Sequence, residues 1–206
     1  MARYLGAVCK LCRREGGKLY LKGERCFTEK CAVTRRPYPP GQHGQARIKL
    51  SEYGLRLREK QKMRRIYGLL EMQFAGYYVQ ATHLKGRTGE EMLGLIERRL
   101  DNVVLRIGFA SSRAQGRQLV RHNHILVNGK RVNIPSYQVR TGDTVEVAEK
   151  AKSQLRIKGA SEAAASRGFP EWLQVDITAM KGTFKAKPQR TELPSTINES
   201  LVVELY

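Results

Sequence analysis

The chain has 206 residues, 41% of them hydrophobic, which suits one large or two small folded domains and excludes a disordered tail. Its 38 Lys and Arg against 19 Asp and Glu leave a formal charge of +19, a self-repulsion that a polyanion must neutralise. No run approaches the ~18 apolar residues of a membrane span, and the N-terminus lacks a signal peptide's apolar core; the reading is therefore a cytoplasmic protein with reduced thiols.

Along the chain, residues 1–50 are rich in Gly, Cys, Arg and Pro and show no sustained helical period. The stretch from Arg35 to Gly44 (RRPYPPGQHG) reads as an extended arm, because its prolines forbid helix and its glycines allow tight turns. From Ser51 to about His83 the pattern is helical, with Met63, Ile66, Tyr67 and Leu70 on one stripe and Arg58, Lys62 and Arg65 on another; Gly68 breaks or bends the run. Thr88 with Glu91 forms a capping-box pattern opening a single helix that carries Leu93, Ile96, Leu100, Val103, Val104 and Ile107 and stops at Gly108. Ser112 with Gln115 opens a shorter helix that reaches about His122.

The period then changes to two. Residues 125–132 read as a hairpin turning through Asn128-Gly129 in type I′ geometry. Val139, a Gly142-Asp143 turn, and Val145 with Val147 suggest another strand pair. Residues 150–168 are Ala-rich and helical with Gly168 as the stop, Trp172–Ile177 and Thr183–Lys187 are candidate strands, and Ile197–Tyr206 is a closing helix.

Cys9, Cys12, Cys26 and Cys31 are the whole cysteine complement, spaced C-x2-C-x13-C-x4-C. Two close pairs joined by a loop are how a segment too poor in apolar groups to fold alone builds a tetrahedral thiolate site. Such a site contributes on the order of 10 kcal/mol of folding free energy to a small peptide. Zinc leads, with an iron–sulfur cluster as the alternative; unrelated reduced cysteines or disulfides compete with the metal reading. Four protein ligands leave no open position, so the site is expected to be structural. Lys10, Arg13, Arg14 and Lys30 stand among these cysteines and favour thiolate. His43, in a Gly-flanked loop, is read as a phosphate or base contact, or as simply exposed.

Basic residues are spread over every part of the chain: 12 basic to 3 acidic in residues 1–50, 11 to 7 in 51–110, and 15 to 9 in 111–206. Arg113, Arg117 and Arg121 lie at i, i+4, i+8 on one face of the helix after Ser112, whose N-terminus adds donors suited to phosphate. Asn128, Lys130 and Arg131 follow on the hairpin. Together they suit the backbone of structured RNA, where shape and phosphates dominate recognition. A charged helix face by itself is more often merely solvated.

At Arg99-Leu100-Asp101-Asn102-Val103-Val104, Gly108-Phe109-Ala110, Ser112-Arg113-Ala114-Gln115, His122–Ile125, Val127-Asn128-Gly129 and Ile134-Pro135-Ser136-Tyr137 the chain resembles the S-four RNA-binding domain. Met1–Tyr4, Pro40–Gly44, Leu57–Lys62 and Asn198–Tyr206 extend the resemblance over essentially the whole chain, to the bacterial ribosomal protein S-four family of the small subunit. The resemblance implies an α+β fold with a four-cysteine metal-binding segment and arm at 1–45. It further implies a helical domain at 46–97 completed by 190–206, and at 98–189 the RNA-binding domain, its helices packed on a small antiparallel sheet. It implies binding to a junction in the 5′ domain of small-subunit ribosomal RNA, early in assembly. Ribosomal protein S-five and other small-subunit proteins are the implied neighbours, along with the channel through which messenger RNA enters, where Arg47 and Lys49 fall beside Ala46. Repression of its own operon occurs in some members.

RNA contacts are accordingly expected at Arg3, Arg13, Arg14, Arg35, Arg36, His43, Arg47, Lys49, Arg58, Lys62 and Arg65. In the second half they are expected at Ser112, Arg113, Arg117, Arg121, His122, Asn128, Lys130 and Arg131. No membrane partner is expected. Catalysis is not expected either. Only 59 residues follow position 147, Asp101, Asp143 and Asp176 are the only aspartates, and no convergent site can be assembled from them. Asp101 reads instead as a helix-surface partner of Arg98 or Arg99. A free RNA-binding module remains the rival, though it would not need the cysteines, the arm and the basic helical pair together.

Overall fold

The computed structural model describes residues 3–46 and 49–206 and is α+β. In chain order it contains α1 (Val8–Arg14), a 3-10 turn at Gly23–Cys26, α2 (Ala32–Arg35), α3 (Glu52–Tyr67), α4 (Glu71–Thr82), α5 (Thr88–Glu97), α6 (Leu100–Ile107) and α7 (Arg113–Arg121). Then come β1 (Ile125–Val127), β2 (Lys130–Arg131), β3 (Thr144–Val147), α8 (Glu149–Lys152), α9 (Leu155–Arg167), β4 (Leu173–Asp176), β5 (Lys181–Phe184), a 3-10 turn at Arg190–Glu192 and α10 (Glu199–Val203). The chain divides into two compact units. One is the sequence up to Met92 with Pro194–Tyr206, the other Leu93–Leu193, so the boundary falls within α5.

In the first unit the expected helical pair forms. Ser51 caps α3 by accepting from the Gly54 N–H (3.2 Å), and Gly68, at φ +65°, ends it in the left-handed conformation that a side chain would resist. Met63, Ile66 and Tyr67 of α3 are buried, as the apolar stripe predicts, but its fourth member Leu70 is only half-buried at the cap of α4 and Leu69 is buried instead; Phe74, Tyr77 and Ala81 of α4 are buried as well. The closing helix α10 packs on α3 and buries Val202. The N-terminal segment differs from expectation: α1 and α2 are helices within a stretch whose composition shows no helical period.

In the second unit all neighbouring strands are antiparallel, in the order β2-β1-β3-β5-β4. The hairpin turns through Asn128 (φ +50°) and Gly129 (φ +75°), as type I′ geometry requires. Ile125, Val127, Val145, Val147, Leu173 and Phe184 join Leu100, Val103, Val104, Ile107, Leu119 and Val120 in one core. Helices α6 and α7 cross closely enough that a Cβ on Gly116 would stand 2.7 Å from the Asp101 carbonyl oxygen, so only glycine fits.

Three expectations are corrected. The single helix from Thr88 to Gly108 is two helices, because Arg99 is extended (ψ 136°) and bridges Gln138. There the Leu100 N–H donates to the Tyr137 carbonyl (2.9 Å) and the Val139 N–H to the Arg98 carbonyl (2.9 Å). Those bonds place Val139 beside the helix junction, so it does not form a strand pair with Val145–Val147; β3 pairs with β1 and β5. The Ala-rich helix is likewise split in two at Ser153 and Gln154.

Candidate nucleic-acid interface

The helix α7 starts as its sequence asks: the Ser112 hydroxyl accepts from the Gln115 N–H (3.3 Å), and Gln115 accepts from the Ser111 N–H (2.8 Å) in return. The three arginines at i, i+4, i+8 then meet different fates. Arg113 donates through Nε to Asn102 Oδ1 (2.7 Å) and lies 3.9 Å from Glu97 Oε1; Arg117 Nη1 reaches Asp101 Oδ2 at 3.4 Å. Arg121, at the helix end, is exposed.

Beneath α7 lies a polar network that the sequence did not announce. Glu97 is fully buried and accepts from Arg106 through both oxygens (3.0 and 2.6 Å) and from the Asn102 side-chain amide. Arg99, also buried, forks onto Asp101 with two bonds of 3.1 and 2.8 Å. Asp101 is thus Arg99's partner but is buried at 6% exposure, so its reading as a helix-surface residue is corrected. The buried carboxylates explain why four guanidiniums can gather at this helix crossing. Formally these four arginines outnumber the two acids they pair with. From sequence Arg99 stands only as a surface partner of Asp101, and Glu97 and Arg106 are missed altogether; the adjacent acid and base in Arg99-Leu100-Asp101-Asn102 hint at the first pair, and nothing local marks the second.

On the hairpin, Lys130 and Arg131 are exposed. The Asn128 side chain is committed internally: its amide donates to Asp143 Oδ1 (2.8 Å) and its oxygen accepts from the Thr144 N–H (2.9 Å), locking the hairpin turn to the Gly142-Asp143 turn. His122 is exposed at the end of α7, its ring 6.1 Å from that of His124. Burial, with the charge of Arg156 nearby, pushes the His124 pKa down.

The first unit shows the same split between braced and exposed cations. Arg13 donates to the carbonyls of Tyr38 (3.0 Å) and Pro39 (3.3 Å) and stacks 5.0 Å from the Tyr38 ring, so it pins the arm. Arg58 (3.4 Å) and Arg65 both pair with Glu15, whose side chain is 2% exposed. Burial pushes the Glu15 carboxyl up despite Arg65, Arg58 and Arg14, and pushes Arg65 down, so each partner resists its charge at this depth. Lys62 bonds Glu59 (3.1 Å) and the Thr196 carbonyl. Arg3, Arg14, Arg35, Arg36, His43 and Lys49 are exposed, and Arg47 lies outside the described residues.

All four cysteines are free thiols lining one small pocket together with Lys22, Arg25 and Lys30; Cys12, Cys26 and Cys31 are buried. The Lys22 N–H points to Cys26 Sγ at 3.4 Å. Burial raises the Cys12 pKa, a backbone hydrogen bond at Leu19 opposes it, and the neighbouring Cys26, Cys9 and Cys31 add to the rise. At Cys31 burial is outweighed by the amides of Val33 and Thr34 at the start of α2 and by Lys18, and the pKa falls. Among the described residues no group of three or more His, Cys, Asp or Glu side chains stands as a metal-ligand set, although the four cysteines line one pocket.

The small antiparallel sheet shares one core with α6 and α7, and the end of α7 and the hairpin present cations to solvent. The family model described as the S4 domain matches residues 98–145, and that described as the ribosomal protein S4/S9 N-terminal domain matches residues 3–97. The chain is 66% identical to small ribosomal subunit protein uS4 of Thiobacillus denitrificans, over 100% of this chain and 99% of that protein. It is 65% identical to uS4 of Nitrosospira multiformis and 59% identical to uS4 of Pelobacter propionicus, with the same coverage. The chain belongs to the uS4 family of small ribosomal subunit proteins.

Proposed function

We propose that the chain works as its family's name states: a structural, non-enzymatic protein of the small ribosomal subunit that binds ribosomal RNA in the cytoplasm. The observation that carries this reading is 59–66% identity along the whole length to proteins named small ribosomal subunit protein uS4. The physics agrees. Cations exposed on both units, including Arg35 and Arg36 in one and Arg121, Lys130 and Arg131 in the other, suit an extended phosphate surface.

The finer reading is that the chain grips the junction in the RNA's 5′ domain and nucleates assembly there. In this reading it lies beside ribosomal protein S-five, and Arg47 and Lys49 line the channel through which messenger RNA enters, with consequences for translational accuracy. Repression of its own message belongs to the same reading. In cell extracts fractionated at high salt, nearly all of the protein should sediment with small subunits. A protein left mostly in the supernatant would favour a free, transient RNA binder.

The four cysteines are proposed as ligands of one structural zinc ion, with an iron–sulfur cluster as the alternative. Support comes from their shared pocket, the absence of disulfides and the basic Lys22, Arg25 and Lys30 around it. Thiolate–zinc bonds are about 2.3 Å, so binding would draw the sulfurs together and tie the starts of α1 and α2 to the 3-10 turn. Chelation should unfold residues 1–45 and spare the rest. Metal analysis of native protein should give one ion per chain; no stoichiometric zinc or iron would defeat this part.

A further inference from the structure

Between the second and fourth cysteines the chain holds two aromatic rings out into solvent. Tyr20 and Phe27 stack with centroids 4.9 Å apart and planes 30° from parallel, and they are 48% and 62% exposed. The buried anchor of this loop is Leu19, not either ring. Tyr20 sits at φ +53°, a left-handed backbone unusual for a bulky side chain. Two or three residues from the rings stand Lys18, Lys22, Arg25 and Lys30, all exposed, against Glu24 and Glu29.

We infer that the Tyr20–Phe27 pair is a stacking platform for an unpaired base of the RNA, with the adjacent Lys and Arg taking the phosphates on either side. The inference rests on the RNA-binding reading and adds a recognition element to it. Any nucleobase offers a π face, so a ring pair accepts it without reading its identity. A third ring on an existing stack removes more apolar surface from water than the pair can by itself. An apolar protein partner fits less well, since a stable protein interface needs about 800 Å² per side and this patch is two rings set among charges.

The test uses full-length protein and a transcript of the 5′ domain of small-subunit RNA, with affinities measured over a range of salt. Phe27→Ala should bind about tenfold more weakly with an unchanged salt slope and an unchanged melting temperature, while Phe27→Trp should bind within about twofold of the parent. Binding by Phe27→Ala equal to the parent overturns the platform, and so does equal weakening in Phe27→Ala and Phe27→Trp, which marks a packing role. Normal RNA affinity with failure to enter subunits would assign the rings to a protein neighbour and likewise overturns it. If the parent itself does not bind the transcript, the RNA-binding reading is what falls.

Discussion

Glu97 and Asp101 each hold two arginines: Arg106 and Arg113 for the first, Arg99 and Arg117 for the second. Breaking a buried pair leaves an uncompensated charge, which is costlier than never having built the pair. Arg99 is 1% exposed and cannot turn to water when its partner goes. Asp101→Ala should therefore lower stability by about 3 kcal/mol, read as a shift in the denaturant midpoint at constant slope. A midpoint within error of the parent would mean that the fork contributes only geometry. The pairing of Asp101 with Arg99 was legible in the sequence, but its burial and the rest of the network were not. The tetrapeptide Arg99-Leu100-Asp101-Asn102 shows that an acid and a base are neighbours, but not that both are buried. That depends on Tyr137 and Val139 closing over the helix junction.

At the level of elements, α7 carries the argument because one face holds both kinds of arginine. Arg121→Ala should weaken RNA binding and reduce the salt slope by about one, while stability stays within about 0.5 kcal/mol. Arg117→Ala should first cost about 1–2 kcal/mol of stability, since Asp101 loses a partner. Equal effects of the two variants on both quantities would remove the distinction. The C-terminal tail is a second such element. The Tyr206 hydroxyl donates to Glu71 (2.9 Å), its ring stacks on Tyr78 (4.5 Å), and Lys60 and Arg64 pair with the same carboxylate (2.7 and 2.9 Å). Burial raises the Tyr206 pKa, Glu71 adding to it, so the phenol stays a donor throughout the physiological range. At Glu71 burial pushes upward, but hydrogen bonds from Lys60 and Tyr206 and the charges of Lys60 and Arg64 leave the carboxyl below its ordinary value. A carboxylate so lowered adds stability above its unfolded pKa and loses it as pH falls through the folded one. The stability gap between parent and Glu71→Gln should therefore narrow from about pH 7 to about pH 3. A constant gap in thermal melts across that interval would show that the charge of Glu71 does not matter. Of these elements the sequence showed those governed by local rules: the stop at Gly68, the Ser112 cap, the Asn128-Gly129 turn and the closing helix. It did not show the break at Arg99, where long-range bonds to Tyr137 and Val139 override an unbroken apolar period.

For the whole molecule, the charge of +19 is divided between two tasks. Arg13, Arg58, Lys62, Arg65, Arg113 and Arg117 brace the fold, whereas Arg35, Arg36, Arg121, Lys130 and Arg131 stand in solvent. Composition reveals the total and not the division, because a brace is set by a distant partner such as Glu15 for Arg65. On the proposed function, the exposed share is there to be neutralised by folded ribosomal RNA. The most direct test is the affinity of the full chain for a 5′-domain transcript over a salt series, with heparin as competitor. Affinity should fall steeply with salt, each phosphate contact contributing about 0.7–0.9 to the logarithmic slope, and the transcript should be retained against heparin of equal charge. A flat slope, or free exchange of the transcript for heparin, would contradict that function.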